Sequence, residues 1–118
     1  MLLIYNVFDY FCQKADCMKS FGEIIKEARE SKGHILRTVS SQMNIDQALI
    51  CKYEKGIRKP SKEQVFRFAK FYELDEKELL VAWLSDKVVY EIIDENNAEE
   101  VLKVAEKKIQ YLKSISYE

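Results

Sequence analysis

A chain of 118 residues that is 47% hydrophobic and 33% charged has material for one core and a wettable surface. That excludes two large domains, wholesale disorder and collagen-like or mucin-like builds. Three glycines and one proline are too few turn formers for an all-β sandwich or barrel, and the net charge of -1 hides an uneven distribution, so an all-α protein with segregated charge is expected.

The first stretch, Met1 to Phe11, is apolar but has no basic leader and carries Asp9. It reads as neither a signal peptide nor a membrane helix, since its apolar run falls far short of the roughly 18 residues that span a bilayer. Residues 1–19 are read either as an N-terminal arm or as an extension upstream of a native start at Met18. Cys12, Cys17 and Cys51 are an odd set with no disulfide framework, and a cytoplasmic protein is expected. With the lone His34 they lack a complete zinc spacing, so neither a metal nor another cofactor is expected.

Helix starts are marked by a Ser, Thr, Asp or Asn followed three residues later by Glu or Gln, a pair that satisfies amides the helix cannot. Ser20 with Glu23 opens a helix over Phe21 to Lys32, where Phe21, Ile24, Ile25 and Ala28 share a face and Gly33 supplies the stop. Between Gly33 and Pro60 two shorter helices are predicted. The first covers Leu36 to Met43 with Val39 and Met43 inward; Asn44 then takes the positive φ of a tight turn, and Asp46 caps the second, Gln47 to Lys55, which Gly56 ends. Two short helices joined by three or four residues form a helix-turn-helix. Ser61 with Gln64 opens Lys62 to Tyr72, Asp75 with Glu78 opens a stretch through Leu79, Leu80, Trp83 and Leu84, and Asn97 with Glu100 opens Ala98 to Ser114.

Charge follows this organisation. From Phe21 to Tyr72 there are eleven Lys or Arg against six acids, whereas from Glu73 onward there are six Lys against twelve acids. A basic centre beside an acidic end suits a polyanion-binding domain joined to a segment with another task. The domain organisation expected is therefore an extension over 1–19, a helix-turn-helix domain over 20–85 and an acidic helical tail over 86–118.

The run Phe21-Gly22-Glu23-Ile24-Ile25-Lys26-Glu27-Ala28-Arg29-Glu30-Ser31-Lys32-Gly33 is followed by Asn44-Ile45-Asp46-Gln47 and then Ile50-Cys51-Lys52-Tyr53-Glu54-Lys55-Gly56-Ile57-Arg58-Lys59-Pro60-Ser61. This string resembles the XRE family of bacterial and phage regulators, the lambda-repressor and Cro type, over about Ser20 to Leu84. The resemblance implies a five-helix DNA-binding fold, here with an additional C-terminal helical segment, whose recognition helix Gln47 to Lys55 lies in the major groove of double-stranded DNA. Gln47, Ala48, Leu49 and Lys52 are the expected base readers: Gln matches an adenine edge, and Ala or Leu a thymine methyl. Arg37, Lys55, Arg58 and Lys59 suit phosphate contacts, helped by amides at the starts of the second and fourth helices. Arg29 and Glu54 match the family's buried ion pair. The chain departs from the family at Leu36, where Gln is frequent.

No Gly-rich phosphate loop, HExxH or GxSxG string is present, so the chain is not expected to be an enzyme and no small-molecule ligand is expected. The function expected is a sequence-specific transcriptional regulator, a repressor or operon controller. The alternative is an antitoxin or interaction module whose main partner is a toxin or other protein. Two recognition helices read more sequence than one, and the apolar stripe Val101, Val104, Ala105, Ile109 and Leu112 is expected to make a homodimer. The other possibility is that this stripe packs within one chain on Trp83 and Leu84.

Overall fold

The computed structural model describes residues 18–116, so the reading of residues 1–17 as an arm or extension, and Cys12 and Cys17, lie outside the described residues. Within them are six helices and no strand: α1 Phe21–Ser31, α2 Leu36–Met43, α3 Gln47–Lys55, α4 Lys62–Phe71, α5 Glu76–Ile92 and α6 Ala98–Ser116. The described residues divide into two compact units, parted between Asp86 and Lys87. No helix among the described residues is long and apolar enough to cross a membrane.

In the first unit the helix ends are chemically specified. Ser20 Oγ accepts from the Glu23 amide at 3.2 Å, Ser61 Oγ from Gln64 at 3.3 Å and Asp75 Oδ1 from Glu78 at 2.9 Å. Asn44 (φ 56°) and Gly56 (φ 77°) end α2 and α3 in the left-handed region, which they tolerate best. Glu73, between α4 and α5, also sits at positive φ (57°) with no glycine to ease it. The second short helix departs from expectation at its start. Asp46 holds the N-cap position, but its side chain makes no cap bond; its carbonyl accepts from Leu49 and Ile50 amides, both at 3.0 Å, while the exposed carboxylate stays in water.

The core runs through all five helices of this unit, from Phe21 and Ile25 on α1 to Leu79 and Trp83 on α5, with Phe68 of α4 at its centre. Phe68 meets Phe21 and Tyr53 edge-on at 5.9 and 6.2 Å and stacks on Tyr72 at 6.2 Å. Two polar contacts close the unit. Trp83 Nε1 donates to the Pro60 carbonyl at 3.1 Å, and the Phe21 amide, one of the donors a helix start leaves over, donates to Asp86 Oδ2 at 2.9 Å. Burial raises the Asp86 pKa, only partly offset by that amide and by Lys59.

The second unit holds the end of α5, a turn in which the Ile93 amide donates to Val89 and Glu95 to Ile92, and α6. No residue of α6 is buried, and its large apolar side chains are between 37% and 65% exposed.

Candidate nucleic-acid interface

The helix-turn-helix is held from behind at three places. At the turn, Ser40 Oγ donates to the Ile45 carbonyl at 2.6 Å while the Ile45 amide donates back to Ser40 O at 3.3 Å, so the α2–α3 angle is set by a closed pair of bonds. Arg67 of α4 donates to the Met43 carbonyl, placing a cation at the C-terminus of α2 where the helix dipole favours it. At the far end of α3, Tyr53 OH donates to Gln64 Oε1 at 2.8 Å.

The third support is α1. Arg29 Nε and Nη2 donate to Glu54 Oε2 and Oε1 at 2.8 and 3.1 Å, and Nη1 donates to the His34 carbonyl at 3.1 Å. The structure thus brings Arg29 and Glu54 together as a two-pronged pair, 14% and 6% exposed. The bond to Glu54 holds the Arg29 guanidinium above its already high ordinary pKa. Beside the pair, Gly22 of α1 lies against the last turn of α3: a Cβ there would fall 2.5 Å from the Glu54 carbonyl oxygen and 2.6 Å from that of Tyr53. α3 sits this close because residue 22 has no side chain.

With Ile50 and Tyr53 buried, the opposite face of α3 is left to solvent. Gln47, Ala48, Lys52 and Lys55 are exposed on it, and Arg37, Arg58 and Lys59 are exposed on α2 and the loop after α3. Leu49 differs from its neighbours: it is half-buried and packs against the core. Cys51 is a half-buried free thiol. The starts of α2 and α4 differ as well, because Ser61 already occupies the Gln64 amide whereas α2 has Ile35 at its N-cap and no side-chain cap. The Trp83 bond to Pro60 anchors the segment that carries Arg58 and Lys59.

Several basic residues of the central segment are engaged elsewhere, among them Arg29 with Glu54, Arg67 with the Met43 carbonyl, Lys32 with Glu73 at 3.5 Å and Lys62 over the Phe66 ring. Sequence reasoning missed Gly22, Ser40, Arg67 and Asp86 as supports. For Ser40 a local signal existed, since a Ser five residues before a buried Ile can close the turn; for Arg67 and Asp86 the partner is too far away in the chain. No group of three or more His, Cys, Asp and Glu among the described residues is placed to hold a metal ion.

A family model described as helix-turn-helix matches residues 25–79. No curated protein and no solved structure matches the chain. The match spans most of α1 through the start of α5, so this stretch is an XRE-type, lambda-repressor-like helix-turn-helix domain, and the kind of function it carries is double-stranded DNA binding in transcription regulation.

Proposed function

We propose that this helix-turn-helix domain reads a specific operator through the first turns of α3 and that the chain works as a homodimeric repressor or operon controller. The observation that carries the reading is the two-faced character of α3. Ile50 and Tyr53 tie one face to the core, and Gln47, Ala48 and Lys52 stand exposed on the other, flanked by Arg37, Lys55, Arg58 and Lys59. Gln47 reads a base edge by paired hydrogen bonds, Ala48 meets a thymine methyl and Lys52 reaches a base or a phosphate one turn on. Leu49 sets the depth of the helix from below rather than reading DNA. The flanking cations and the uncapped amides at the start of α2 grip phosphates and fix register. The tail supplies the dimer, with Val101, Ala105, Ile109 and Leu112 in its contact face.

Selection of bound sequences from a random duplex library supplies the operator, and titrations over a range of salt test the roles. Gln47→Ala costs about 1–3 kcal/mol on the operator and relaxes preference at one position. Arg58→Ala weakens all duplexes alike and lowers the slope of log K against log salt by about 0.9. Wild-type behaviour of both variants rules the reading out.

A further inference from the structure

The apolar face of α6 is wider than a simple stripe and has an interruption. At about 100° per residue, Ala98, Val101, Ala105, Lys108, Leu112 and Ile115 form its centre line, with Leu102 and Ile109 along one border and Val104 and Tyr111 along the other. Lys108 therefore stands in the middle of an apolar face, and two of the other five central positions are alanines. Charge along the helix is polarised too: Glu99 and Glu100 occupy the first turn, Lys107 and Lys108 the middle and Lys113 the last turn.

These three features decide between the ways a second copy can lie on this face. A parallel, in-register pair sets Lys108 against itself, Ala98 and Ala105 each against themselves, and Glu99 and Glu100 against their own copies. Half the central layers are then empty or repulsive. Reversing one helix about a point between Glu106 and Lys107 sets Ala98 opposite Ile115, Val101 opposite Leu112 and Ala105 opposite Lys108. Every small residue meets a large one, and each Lys108 stem lies over a methyl while its ammonium reaches water at the edge. The acidic first turn of each helix lies level with the last turn of the other, which carries Lys113, and the helix dipoles run oppositely.

We infer that two copies of this chain associate through α6 packed antiparallel on α6 in that register. The inference rests on the homodimer reading above and adds its orientation, with α6 overlapping along nearly its whole length. A different protein seated on this face is the competing occupant, and the test distinguishes it.

The experiment uses the full chain with Cys12, Cys17 and Cys51 replaced by Ala and a spin label on a single cysteine introduced by Glu99→Cys, Lys107→Cys or Lys113→Cys in turn. Antiparallel pairing puts the labels almost level at position 107, so that its separation is the smallest of the three, and adds about 20 Å or more along the axis at both 99 and 113, from the helical rise of about 1.5 Å per residue. Similar separations at all three positions, with no axial offset at 99 and 113, overturn the orientation and leave the dimer standing. A chain that stays monomeric in sedimentation at high concentration overturns both readings and leaves the face to another protein. Leu112→Asp in the otherwise native chain gives an independent measure: it weakens the dimer by about 100-fold or more, because a charge enters the apolar layer twice. Unchanged dimerisation in that variant places the contact elsewhere and also overturns the inference.

Discussion

Thirteen apolar side chains between Phe21 and Trp83 are at most 6% exposed, while α6, just as amphipathic in pattern, buries none. The two units differ in helix length and in polar anchorage. Helices α1 to α4 have 8 to 11 residues, below the length at which a helix is stable by itself, and each survives by covering its neighbours. They are also cross-linked by side chains that reach backbone or charge on another element: Arg29, Ser40, Arg67, Trp83 and Asp86. α6 has 19 residues, and its side-chain bonds from Ser114 and Ser116 stay within the helix. The first unit thus has its cross-links built in, whereas the second leaves the apolar side chains of α6 exposed.

The largest loss of stability in the first unit is expected at the Arg29–Glu54 pair. Glu54→Ala leaves a guanidinium largely buried without its carboxylate, at a cost of about 3–5 kcal/mol, a large share of the roughly 5–15 kcal/mol that holds a domain together. Urea unfolding of the variant should show a midpoint far below wild type. The double variant Arg29→Met, Glu54→Leu should recover most of the loss, since an apolar pair of similar volume needs no desolvation. A double variant as unstable as the single one contradicts this account.

Next in size is Gly22→Ala. Alanine ordinarily favours a helix over glycine by about 1 kcal/mol, but here the added methyl collides with two carbonyl oxygens that cannot rotate away. α1 and the last turn of α3 must part, and a net loss of about 1–3 kcal/mol is expected from overpacking. Because α3 shifts with that turn, operator affinity falls more than the lost stability explains, which is read by titrating at a temperature where the variant is fully folded. A variant as stable as wild type, with unchanged affinity, shows that the close approach is not needed.

Local chemistry made much of this legible in advance. The caps at Ser20, Ser61 and Asp75, and the left-handed turns at Asn44 and Gly56, depend on neighbours within a few residues, so helix starts and stops could be read from them. The expected base readers of α3 rest on the family resemblance, and the burial of Ile50 and Tyr53 is what leaves Gln47, Ala48 and Lys52 exposed. What escaped depends on residues meeting across the fold. Nothing near Arg67 says that it will occupy the Met43 carbonyl instead of facing solvent, and nothing near Asp86 points to the Phe21 amide 65 positions earlier. Asp46 was expected to cap with its side chain and starts its helix with its carbonyl; either arrangement satisfies the same sequence signal. Glu73 at positive φ ends α4 as Asn44 and Gly56 end theirs, with its amide donating to Lys70 at 3.3 Å and that of Leu74 to Ala69 at 2.8 Å, but as a glutamate it carries no sequence mark of that role.

A smaller change is expected at a buried hydroxyl inside the core. Tyr72 is 2% exposed, lies beside Phe68 and Phe71, and its hydroxyl is buried without a hydrogen-bond partner among the described residues. Burial, followed by the negative charge of Glu54 and opposed by Arg29, pushes its pKa from 10.0 up to about 12. Above pH 10 the unfolded chain gives up this proton while the folded chain keeps it. The folded state then binds more protons, and stability falls as pH rises through that window. The contribution is fully present below pH 10 and is lost toward pH 12. Tyr72→Phe removes a hydroxyl that has no partner, so the variant should match or exceed wild type by about 1 kcal/mol at neutral pH. Its stability should also fall less steeply between pH 10 and 12. Urea unfolding at pH 8, 10 and 11 measures both effects. A phenylalanine variant less stable than wild type at pH 8 means that the hydroxyl has a partner, and an equally steep alkaline fall assigns the titration to another group.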